Sequence, residues 1–156
     1  MPTRRSLRSV LGRLSPRRPH PLGEGLWRGD FDRVDRASGR VLQVLGGRSA
    51  PVVVDRVTAC RELVWRCCVA AQERAPDADR EVPADDALAA AHRALSRTAT
   101  AVAQAAQALV MTASDDMTAS DDAASLRALD RAAASAAEAA AALGLPVDGV
   151  SPPGRS

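Results

Sequence analysis

Residues Asp85–Ala113 read DDALAAAHRALSRTATAVAQAAQALVMTA, and the large apolar side chains of this stretch recur seven apart at Leu88, Leu95, Val102 and Leu109. Seven residues make close to two helical turns, so the four side chains share one stripe, and the spacing predicts a helix packed along it. Ala91, Thr98 or Ala99, and Ala105 fall at the intervening seam position. Side chains this small let a neighbouring helix come to the short end of the usual separation of about 8 to 10 Å.

The same recipe extends in both directions. Downstream, a helix over about Asp121 to Leu143 carries Leu126, Leu129, Ala133, Ala136, Ala140 and Leu143. Gly144 suits a left-handed cap, Leu145 can fold back onto Ala140, and Pro146 prevents continuation. Upstream, Val53, Val57, Cys60, Val64, Cys67 and Ala71 step by fours and threes, as on a bundle seam. Their helix opens near Ser49 and Pro51 and ends at Ala75. An earlier helix, Asp30 to Leu45, puts Phe31, Val34, Val41, Leu42 and Leu45 on one face before Gly46 and Gly47. Ser38 and Gly39 weaken its middle. The fold expected is all-α: a four-helix up-and-down antiparallel bundle with Ala-rich seams, sequential helices lying side by side.

Residues 1–29 read as an arm. Leu7, Val10, Leu11 and Leu14 form the apolar face of a short basic amphipathic helix, and the proline- and glycine-rich stretch Ser15–Gly29 follows as a flexible linker. The division expected is arm and linker over 1–29, bundle over 30–145 and a disordered tail over 146–156. Between the last two helices stands a perfect tandem repeat, MTASDD at 111–116 and again at 117–122, which reads as a slippage insertion tolerated in a loop.

Lys, Ile, Asn and Tyr are missing from all 156 residues, and Phe31 is the single phenylalanine. These residues use AT-rich codons, so the genome is expected to be that of a high-GC bacterium, which accounts for part of the Ala and Arg excess. Codon bias sets how much alanine there is but not which helical face keeps the leucines, so placement is the informative part. The 46% hydrophobic and 26% charged residues fit a soluble globular chain. No apolar run is long enough to span a membrane, and Arg4, Arg5, Arg8 and Arg13 interrupt any signal-peptide core. A cytoplasmic location is expected.

Net charge is +2, yet residues 1–29 carry seven Arg against Glu24 alone, and 76–156 carry twelve acids against six Arg. Arg4, Arg5, Arg8, Arg13, Arg17 and Arg18 are therefore candidates for binding nucleic acid or another anion. The arm has no aromatic residue on which a base could stack before Trp27. Trp65, standing off the seam beside Arg61, either covers the bundle edge or anchors a protein interface, where Trp and Arg are enriched.

Chemistry-bearing patterns are sparse. Cys60 and Cys67 lie two turns apart, about 10 Å, too far for one ion or an intrachain disulfide, and with Cys68 they read as core packing. Asp115, Asp116, Asp121 and Asp122 lack the glycine and alternating ligands of a calcium loop. Gly23, Gly25 and Gly29 miss the dinucleotide spacing, and no strand precedes them. His92, beside Arg93, has no visible partner for catalysis and reads as half-exposed. No catalytic, metal or cofactor residue is assigned. The function expected is that of a non-enzymatic helical interaction or adaptor protein, a homo-oligomer or the binder of a partner helix. The alternative is a small nucleic-acid-binding accessory or regulatory protein that uses the arm.

Overall fold

A computed structural model describes residues 22–75, 85–113 and 119–147, which form four helices: α1 (Leu26–Leu45), α2 (Pro51–Arg74), α3 (Asp86–Ala113) and α4 (Ala119–Ala142). The expected all-α four-helix bundle is what these residues build. The basic arm with Arg4, Arg5, Arg8, Arg13, Arg17 and Arg18, the side chains of Asp115, Asp116, Asp121 and Asp122, and the tail beyond Val147 lie outside the described residues.

Helix ends follow local chemistry. Asp85 caps α3, its Oδ1 accepting from the backbone N–H of Ala87 at 2.8 Å and of Leu88 at 3.3 Å. Pro51 occupies the first turn of α2, where its missing N–H costs nothing. The expected Ser49 cap is corrected, because Ala50 flanks the helix and no side chain caps it. At the end of α4 Gly144 takes φ of 70°, the Leu145 N–H bonds to the Ala140 carbonyl at 2.9 Å, and Gly144 N–H bonds to Ala141 at 3.1 Å. That pair of bonds is a Schellman ending, as expected from Gly144, Leu145 and Pro146. The start of α1 differs from expectation. It opens at Leu26 after Gly25 rather than at Asp30, and Leu22 and Trp27 are buried. Two large core side chains, Leu22 and Trp27, thus come from a segment whose glycines and prolines read as linker.

The stripes expected for α2 and α3 are all buried, with Thr98 rather than Ala99 facing inward. Buried Thr98 satisfies its hydroxyl on the Ala94 carbonyl at 2.8 Å. On α4 the inward face is rotated from the expected one: Ser125, Ala128, Ala132 and Ala139 join Leu129, Ala136, Ala140 and Leu143, whereas Leu126 and Ala133 are only half-buried. Leu42 of α1 is exposed, also against expectation.

Cross-helix pairs define the wiring. Asp35 meets Arg61 and Phe31 meets Trp65, so α1 and α2 run antiparallel; Arg97 meets Glu138 and Gln104 meets Arg131, so α3 and α4 do too. In contrast Asp30 meets His92, while Arg56 meets Asp130 and Cys67 meets Ala136. Those contacts make α1 parallel to α3 and α2 parallel to α4. Consecutive α2 and α3 touch only slightly, so the order around the bundle is α1, α2, α4, α3. Sequential helices are therefore not all neighbours, and the chain crosses the diagonal between α2 and α3. None of the described helices is long and apolar enough to cross a membrane.

Candidate functional site

Arg61 and Trp65, expected at a protein interface, lie one turn apart on α2 and close the α1–α2 edge. The Trp65 ring meets Phe31 edge-on, centroids 4.9 Å apart, and the Arg61 guanidinium sits 5.2 Å over the same Phe31 ring while pairing with Asp35. Aromatic and cation–π contacts of this kind each add about 0.5 to 1 kcal/mol to the edge. Both side chains therefore serve the intramolecular seam, with Trp65 half-buried and Arg61 exposed.

Beneath that edge the structure brings together residues that sequence reasoning left apart. Asp30 is buried on α1, and its Oδ2 accepts from His92 Nδ1 of α3 at 2.7 Å. Its other oxygen accepts from Arg33. Trp27 packs edge-on against the His92 ring, centroids 6.4 Å apart, and its own Nε1 is buried without a hydrogen-bond partner. Burial raises the Asp30 carboxyl above its ordinary value of 3.8, while the hydrogen bond and charge of His92, and then Arg33, pull the other way. His92 thus has the partner that its sequence context did not display. The usable signal was periodicity: Trp27, Asp30, Val34, Ser38, Val41 and Leu45 follow one helical stripe, with two polar members on it.

The three cysteines are free and buried. Burial, with a contribution from neighbouring Cys67, pushes Cys60 up to about 12. Burial pushes Cys67 to about 11, opposed by Arg66, and raises Cys68, which faces Asp30, well above 9.0. All three stay protonated thiols at neutral pH and are poor nucleophiles and poor ligands. Among the described residues no cluster of His, Cys, Asp or Glu is arranged to hold a metal ion.

Exposed large apolar side chains gather at one end. Leu42 stands in the last turn of α1, Val52 and Val54 in the first turn of α2, and Val110 and Met111 in the last turn of α3. Given the helix directions above, these termini all lie at the same end of the bundle, opposite the Asp30–His92 pair. Arg48, in the turn between α1 and α2 at that end, is turned back: its guanidinium donates to the Val44 carbonyl at 3.1 Å and the Leu45 carbonyl at 3.3 Å. No family model matches the chain, and no curated protein or solved structure is significantly similar to it.

Proposed function

We propose that the chain is a non-enzymatic cytoplasmic interaction protein whose copies associate through the apolar end of the bundle. One observation carries this reading: Leu42, Val52, Val54, Val110 and Met111 are exposed and lie at the same end. Grouped exposure of this kind is a feature of interaction surfaces, whereas singly scattered apolar residues need no explanation. A second copy is the natural occupant, because a two-fold interface sets each patch against its own likeness. Apolar side chains tolerate that, and Arg48 is already engaged with backbone carbonyls. The buried thiols and the Asp30–His92 pair fit a structural part in the core.

Sedimentation velocity over a protein concentration series tests the reading. Wild type shifts to a dimer as concentration rises, and Val52→Glu or Leu42→Glu keeps it monomeric with unchanged helicity. Wild type that remains a monomer up to about 1 mM, where even the weakest specific complexes form, overturns it.

A further inference from the structure

A second surface, on the side of the molecule rather than its end, has the opposite chemistry. Between parallel α1 and α3 runs an open groove of about 970 Å³. Its deepest lining is the half-buried Ala37, Val44 and Ala99, Gly39 and Ala103 are exposed at its edges, and Arg36 and Arg40 stand along the α1 wall. These two arginines are one turn apart, about 6 Å along the axis. Neither has an ion-pair partner among the described residues, whereas Arg28, Arg33, Arg56, Arg61 and Arg97 each pair with a carboxylate. The nearest acids are engaged elsewhere: Asp32, one turn before Arg36, pairs with Arg28, and Asp35, beside it, pairs with Arg61, while residues 36–54 and 87–113 contain no Asp or Glu.

From this geometry we infer that the α1–α3 groove is a docking site for an acidic amphipathic helix of a different protein. Charge selects the class of occupant, since two uncompensated cations attract carboxylates and repel both another arginine-rich segment and the same groove on a second copy. The floor selects its shape. The small side chains of Ala37 and Ala99 let a third helix settle close to the backbone, and an apolar strip on that helix covers them while its flanking acids reach Arg36 and Arg40. Nucleic acid would satisfy the arginines but would leave the alanine floor without a complement. This proposal rests on the interaction reading but not on self-association, because the groove and the apolar end are separate surfaces.

Fluorescence anisotropy of the full chain with a labelled Glu/Ala/Leu peptide of about 20 residues, long enough to form a helix, provides the test. Controls are the same composition scrambled so that Glu and Leu no longer segregate, and a labelled DNA duplex. The amphipathic peptide should bind, the scrambled one at least about tenfold more weakly. Arg36→Glu with Arg40→Glu, and separately Ala99→Leu, which fills the deep part of the groove, should each weaken binding by at least about tenfold with helicity unchanged. Monomeric Val52→Glu should bind as wild type does, which separates failure here from failure of the dimer. Equal binding of the scrambled peptide, wild-type affinity in the Arg36→Glu/Arg40→Glu variant or in Ala99→Leu, binding of DNA alone, or no peptide binding up to about 100 µM overturns the inference.

Discussion

Asp30 shows what a single residue does to this core. It is a carboxylate held at 1% exposure by a half-buried histidine and an arginine, so its ionisation is opposed by burial and only partly repaid by His92 and Arg33. A carboxyl raised in the folded state takes up its proton before the unfolded chain does. Between 3.8 and the raised value the native protein therefore binds more protons, and the Asp30 contribution to stability falls as pH rises through that window. Asp30→Asn does not titrate, so its stability relative to wild type should improve as pH rises from about 4 through the raised value, measured by urea unfolding at each pH. A variant whose deficit or gain is constant with pH contradicts this. At the same scale, sequence reading found the cysteines and the large seam residues because burial follows hydrophobicity. It missed the Asp30–His92 bond because a helix start placed at Asp30 turns that residue outward as a cap, and only the extra turn from Leu26 brings it inward.

At the scale of elements, the endings with glycine were the easiest to read and the beginnings without a capping side chain the hardest. Gly144 and Gly46 both adopt positive φ, at 70° and 57°, and both terminate helices where the sequence places them. Gly25 opens α1 with no side-chain bond to announce it, and the nearby glycines disguised a helix as a linker. The two kinds of glycine answer differently to substitution. Gly144→Ala forces an L side chain into the left-handed region and should cost about 1 to 2 kcal/mol in urea melts. Gly39→Ala, inside α1 with open space above it, should gain up to about 1 kcal/mol through helix propensity. Like signs for the two would refute the backbone argument. Along α4 the alanines hide the register, since a face of nearly uniform small residues leaves period alone to choose between Ala132 and Ala133, and the inward choice is Ala132.

For the whole molecule, the seams dictated four packed rods but not their order. Residues 75–85 link α2 to α3, and eleven residues reach over 30 Å when extended, roughly twice the diagonal of a square of helices about 10 Å apart. Either neighbour or diagonal is within reach, so length does not decide, and packing of α1 on α3 and of α2 on α4 does. The result is two helical hairpins laid side by side, joined by one stretch of backbone and held by alanine-lined contact. A single cut within 75–85 therefore divides the protein into two complementary halves. Expressed as separate polypeptides, 1–80 and 81–156 should reassemble without a peptide bond between them, and carry fused reporter fragments together when they do.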